Sequence, residues 1–126
     1  MSFIRYNSNP SGKHVGDCVI RALTIAIPDS WENVYADLTM VGRYMYDMPN
    51  SNAVWAEYLK MNGFKHYSLP DTCPFCYSIR QFSEDFPVGT YVVATGSHVV
   101  AVVDGNYYDT SDSGNEVPIY YFRKEQ

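Results

Sequence analysis

The sequence predicts an α+β fold, with N-terminal helices packed on an antiparallel sheet drawn from the C-terminal part of the chain. Three observations carry this. Apolar residues recur at helical spacing between Val19 and Leu59, and β-branched and aromatic runs take over after Gly89. The chain has 126 residues, 46% apolar and 18% charged, an ordinary globular balance that suffices for one core. A single domain spanning residues 1–126 is therefore expected.

The elements follow in order. Residues 1–16 read as a loop, with Asn9-Pro10-Ser11-Gly12 as turn chemistry. Asp17 is placed to cap a helix that begins at Cys18. Its apolar face is Val19, Ala22, Leu23 and Ala26, and Pro28 stops it. Ser30 caps a second helix, whose Trp31, Val34, Tyr35 and Leu38 repeat the spacing and which runs to about Tyr46. Met48-Pro49-Asn50 breaks the chain. A third helix carries Val54, Trp55, Tyr58 and Leu59, with Gly63 as its C-terminal stop. A short strand is expected over 64–69 and a helix over 77–86. Strands are expected over 91–94, 98–103, 107–110 and 119–122, and helices first with strands last is the α+β pattern.

Composition narrows the function classes. Net charge is −5, and Lys and Arg are scattered rather than clustered, so no nucleic-acid partner is expected. No apolar run approaches membrane-spanning length, and the polar opening segment lacks the apolar centre of a signal peptide. The cysteines are Cys18, Cys73 and Cys76, an odd number and too few for a secreted disulfide framework. A cytoplasmic protein with reduced thiols is the expectation. The 12 tyrosines either edge a small core with amphipathic rings or offer a surface for peptides or sugars.

Cys18 is the candidate nucleophile. At the first turn of a helix, free amides and the helix dipole favour a thiolate, the form a cysteine nucleophile needs. The neighbouring Asp17 charge acts in the opposite direction. The competing reading is a small buried residue, since free Cys is among the most buried types.

His98 opens the apolar run Val99-Val100-Ala101-Val102-Val103, and Asp104-Gly105 then signals a two-residue hairpin turn. With that turn Val103 faces Asn106, Val100 faces Asp109 and His98 faces Ser111. His98 and Asp109 become diagonal neighbours on one face. An imidazole beside a carboxylate is a base held in tautomer and orientation. A three-residue loop would pair His98 with Asp112 instead, which makes Asp112 the reserve acid. A structural histidine at a strand end is the competing reading.

The order Cys18, His98, Asp109 resembles that of papain-like cysteine peptidases. Gly16-Asp17-Cys18 at a helix start and the hairpin from His98 to Asp109 are similar to small bacterial members: bacteriocin-leader processing peptidases and cell-wall CHAP-type amidases. The likeness rests on residues 12–27 and 89–112. It implies a papain-like fold, with the cysteine opening a central helix and the sheet presenting histidine and acid. It also implies a thiol hydrolase with Cys18 as nucleophile, His98 as general base and Asp109 as orienting acid. The implied partner is a peptide or protein substrate, no cofactor is required, and a bacterial or phage source follows from the likeness alone. The family commonly carries Gln six residues before the cysteine to complete the oxyanion hole, and here that position is Gly12. Asn7, Asn9 and His14 are the candidate substitutes, with the Cys18 N–H as the other donor.

Cys73-Pro74-Phe75-Cys76 supports competing readings. A Cys-x-x-Cys at a helix start resembles the glutaredoxin active site, and Pro87 before the next strand imitates the proline near its thiols. That fold, however, places the motif after its first strand, whereas here 72 residues precede it. The two cysteines are also half of a zinc site, with His66 or His14 as a third ligand and no evident fourth. A thiol hydrolase, a thiol–disulfide redox protein and an inactive papain-like binding domain are thus the functions to distinguish.

Overall fold

The computed structural model describes residues 2–125. Four helices surround one six-stranded sheet, an α+β arrangement. The elements are β1 (Phe3–Arg5), α1 (Cys18–Ala26), α2 (Trp31–Met45), α3 (Asn52–Met61), β2 (Phe64–Ser68), α4 (Ile79–Asp85), β3 (Thr90–Ala94), β4 (Val99–Val103), β5 (Asn106–Asp109) and β6 (Tyr120–Lys124). Among the described residues no helix is long and apolar enough to cross a membrane.

Local chemistry accounts for the helix boundaries. The hydroxyl of Ser30 accepts from the Asn33 amide at 3.1 Å, and that of Ser51 accepts from the Val54 amide at 3.3 Å. Ser78 and Gln81 form a reciprocal capping box at the start of α4. Asp17 holds the N-cap position of α1, but its side chain makes no capping bond. It turns instead to Arg21 and to the indole of Trp31.

The strand order is β1-β5-β4-β3-β6-β2. The sheet is mixed rather than wholly antiparallel, because β1 lies parallel to β5, with Ile4 opposite Tyr108. The loop expected over residues 1–16 thus contains a strand at 3–5. Those residues form a strand because β5 offers an unpaired edge, and that partner lies more than a hundred positions along the chain.

Two apolar layers hold the sheet. Val92, Ala94, Val99, Ala101 and Phe122 pack with residues of α1, α2 and α3. Tyr91, Val93, Val100, Val102 and Tyr107 pack with Ile79 and Phe82 of α4. Both faces are covered, which explains why β3 and β4 read as continuous apolar runs rather than alternating ones. Trp55 is fully buried on the first side, 5.5 Å edge-on to Phe122 and stacked 6.1 Å from Tyr120. Truncating such a ring typically costs about 3–5 kcal/mol.

The β4–β5 hairpin has the expected two-residue turn. Val103 pairs with Asn106, and Asp104 and Gly105 both have positive φ, 49° and 81°. That geometry matches the right-handed twist of the flanking strands. Gly105→Ala places a Cβ on left-handed backbone and should lower stability by about 1–2 kcal/mol. Urea unfolding measures this, and a loss under about 0.5 kcal/mol would mean that the turn relaxes to another form.

Candidate active site

Helix α1 and the β4–β5 hairpin bring the three separated candidates together. Cys18 is the first residue of α1, His98 immediately precedes β4, and Asp109 is the last residue of β5. Helix α1 docks on the sheet through Val19, Ala22 and Leu23 against Val99 and Ala101. The end of the sheet where β4 begins and β5 finishes is thereby set against the start of α1.

His98 is fixed at both backbone and ring. Its amide donates to the Thr95 hydroxyl at 3.0 Å, and its carbonyl accepts from the Thr95 amide at 2.9 Å. Its Nε2 lies 2.6 Å from Asp109 Oδ2. With Nε2 given to the carboxylate, Nδ1 is the ring nitrogen left to interact with Cys18. Asp109 is buried, and its other oxygen accepts from the Thr110 amide at 2.7 Å. Arg21 approaches that oxygen at 4.0 Å. Asp112, the reserve acid, bonds the Tyr107 hydroxyl at 2.7 Å and pairs with Arg80 at 3.5 Å instead. The two-residue turn decides between the two acids.

The electrostatics follow from these contacts. Burial pushes the Cys18 thiol up, but hydrogen bonds from His98 and the Val99 backbone, with the charges of His98 and Arg21, outweigh it and hold the thiol below its ordinary range. The Asp109 bond, with the Cys18 bond behind it, raises His98 to about 10 against the opposing effect of burial. Burial pushes Asp109 up, yet its bond and attraction to His98 leave it below the usual carboxylate range. The expected opposition from Asp17 is offset locally. Its carboxylate is buried, sits 3.0 Å from Arg21 Nη1 and accepts from Trp31 Nε1 at 2.9 Å. A thiolate beside an imidazolium, aligned by a carboxylate, can attack an electrophilic carbon and then deliver a proton to a leaving group.

Cys18 and His98 line a cleft of about 270 Å³, walled by Asn50, Asn52 and Trp55 on one side and Thr95 to Ser97 on another, with Tyr120 beside them. Larger hollows of about 510 and 460 Å³ run along α2 and α3, where Met40, Tyr44, Tyr46 and Met61 stand among their lining residues, and contain no nucleophile beside a base. The suggested oxyanion residues are elsewhere. Asn7 bonds the Lys13 carbonyl and the Asn9 amide, Asn9 reaches toward Asp17 at 3.4 Å, and His14 is exposed outside the cleft. Sequence reasoning missed Asn50, Asn52 and Tyr120, because only tertiary packing brings the start of α3 beside α1.

Cys73 and Cys76 are joined in a disulfide on an exposed loop, so the expectation of reduced thiols holds only for Cys18. Their sulfurs serve each other rather than a metal, and His66 packs 5.1 Å from the Tyr120 ring. Among the described residues no group of three or more His, Cys, Asp or Glu is placed to hold a metal ion. Comparisons of the chain with protein-family models, with curated proteins and with solved structures found no match.

A pH dependence of stability follows. A raised His98 contributes stability that is complete below about pH 6.5 and is lost as pH rises through about 10. A lowered Cys18 contributes stability that is present above 9.0 and is lost as pH falls through its folded value. At any pH above about 6.5 at which the folded Cys18 is ionised, folded and unfolded chains each hold one proton on the pair until the unfolded thiol titrates near 9.0, and the two slopes cancel. Between about pH 9 and 10 only the folded chain keeps that proton, so stability falls. Measured against a Cys18→Ala, His98→Gln double variant, the wild-type advantage should shrink as pH rises from about 9 to 10. A difference independent of pH through 10 would mean that no ion pair forms.

Proposed function

We propose that this protein is a papain-like thiol hydrolase, a peptidase or amidase that cleaves an amide bond through Cys18, His98 and Asp109. The observation that carries this is the His98–Asp109 bond at 2.6 Å, with Cys18 at a helix start lining the same cleft as the imidazole. A helix opening on the cysteine, packed on a sheet that presents the histidine and then the acid, supports the papain-like assignment. Neither residue pair needs this geometry for folding alone. A buried carboxylate could be satisfied without a neighbouring thiol, and a helix start needs no cysteine.

The chemistry follows from the contacts. The Cys18 thiolate attacks the amide carbonyl carbon, a C–S bond forms, and the carbonyl π pair moves to oxygen. The tetrahedral species collapses, the C–N bond breaks, and His98 gives its proton to the departing amine. Water then attacks the thioester as neutral His98 accepts its proton, and the acid is released with thiolate and imidazolium restored. Asp109 keeps the ring oriented and stabilises its charged form throughout. A peptide or protein is the proposed substrate. The exposed Cys73–Cys76 disulfide supports one separate reading, thiol–disulfide exchange at that loop.

Alkylation by iodoacetamide, resolved by peptide mass, separates these readings. A hydrolase reacts fastest at Cys18 and keeps reacting at pH values well below the ordinary thiol range. His98→Ala should slow Cys18 by roughly tenfold or more at pH 7, and Asp109→Asn should slow it in the same direction. An inert Cys18, or equal rates in wild type and His98→Ala, would overturn the hydrolase reading. After mild reduction, a faster reaction at Cys73 or Cys76 would favour exchange.

A further inference from the structure

Attack of a thiolate on a carbonyl places negative charge on oxygen, and that charge needs fixed donors. One is available in the chain itself. Cys18 opens α1, so its N–H has no partner within the helix. The second must come from another group lining the cleft.

The cleft offers few choices. Thr95 is engaged with the backbone of Ser97 and His98. The side chains of Asn50 and Ser97 and the Tyr120 hydroxyl line the cleft with no hydrogen bond that fixes their direction among the described residues. Asn52 differs. Its amide is held by Trp55 Nε1 at 3.0 Å, and Trp55 is fully buried. An indole N–H only donates, so the Asn52 atom facing it must be Oδ1. The Nδ2 group is thereby directed away from Trp55, with no acceptor among the described residues. Asn52 is thus the lining side chain that meets the requirement of a donor oriented before substrate arrives.

We propose that Asn52 Nδ2, with the Cys18 N–H, binds the oxyanion of the acyl-transfer step, so that the start of α3 supplies what Gly12 cannot. The assignment rests on the hydrolase reading above. It makes Asn52 a catalytic residue in contact with the reacting oxygen, and Trp55 a positioning residue that acts through it.

The test uses two reactions of the same thiol. Acylation by p-nitrophenyl acetate forms the C–S bond, passes through an oxyanion and expels p-nitrophenolate. Alkylation by iodoacetamide displaces iodide and passes through none. Asn52→Asp keeps Oδ1 for Trp55 and places an acid in the first turn of a helix, where it is tolerated, so the variant should fold. Acylation of Cys18, corrected for thiolate fraction from the alkylation pH profile, should fall on the order of 10²-fold in Asn52→Asp and Asn52→Ala. Corrected alkylation should stay within about twofold of wild type. Asn50→Ala should not show the selective loss of acylation over alkylation.

Equal acylation of wild type and Asn52→Asp would overturn the assignment, as would parallel losses in both reactions or a loss confined to Asn50→Ala. A wild-type Cys18 that is neither alkylated rapidly nor acylated would remove the hydrolase reading, and this inference with it. That result is distinct from a reactive Cys18 indifferent to Asn52.

Discussion

The bond between His98 and Asp109 is the contact on which the rest of the site depends. Asp109 is buried, and a carboxylate out of water is costly unless its charge and lone pairs are met. Here they are met three ways, by the His98 ring, the Thr110 amide and the nearby Arg21 guanidinium. The same bond raises His98 far enough for the imidazolium to persist at neutral pH. That cation beside Cys18, with the Val99 backbone and Arg21, is what overcomes the desolvation of a half-buried thiol. Carboxylate, imidazole and thiol therefore form one coupled unit.

Arg21 links that unit to the rest of the fold. One turn after Asp17 on α1, it pairs with Asp17 and also faces Asp109 across the start of the sheet. Asp17 in turn holds Trp31 of α2 and receives Asn9 from the N-terminal loop. A single partly buried polar network, centred on the buried Asp17 and Asp109, thus ties loop, α1, α2 and β5 at the end of the sheet where Cys18 lies. Apolar packing of Val19, Ala22 and Leu23 sets the depth of α1 on the sheet. Removing one member of such a network leaves its partner buried and unpaired, so the arrangement is cooperative.

What was legible in the sequence was what is local. Cys18 at a helix start, the Asp104-Gly105 turn and the diagonal meeting of His98 with Asp109 all follow from spacing within one helix or one hairpin. The helix caps at Ser30 and Ser51 were equally local. Strand β1 was not, because three residues carry no periodicity and their partner is β5. The role of Asp17 was misjudged for the same reason. A capping residue is suggested by its neighbours, but Trp31 and Arg21 claim it through packing. Coverage of the sheet on both faces also required the structure, since α4 lies opposite the other helices.

The least legible part of the chain shapes the cleft. The start of α3 brings Asn50, Asn52 and Trp55 beside Cys18, although nothing in their spacing marks them as anything but a helix start and core. Among the described residues that line the cleft, only the Cys18–His98 pair carries charge. The net charge of −5 therefore acts on a substrate at long range, while contact inside the cleft is left to neutral amides, hydroxyls and the ring of Tyr120, which stacks on the buried Trp55. Neutral donors suit the proposed chemistry. A fixed cation in the cleft would attract any anion and bind ground and transition states alike, whereas an oriented amide favours the state in which oxygen carries charge. Trp55 matters here because it is rigid: it belongs to the core, and its indole turns Asn52 from a surface amide into an oriented one.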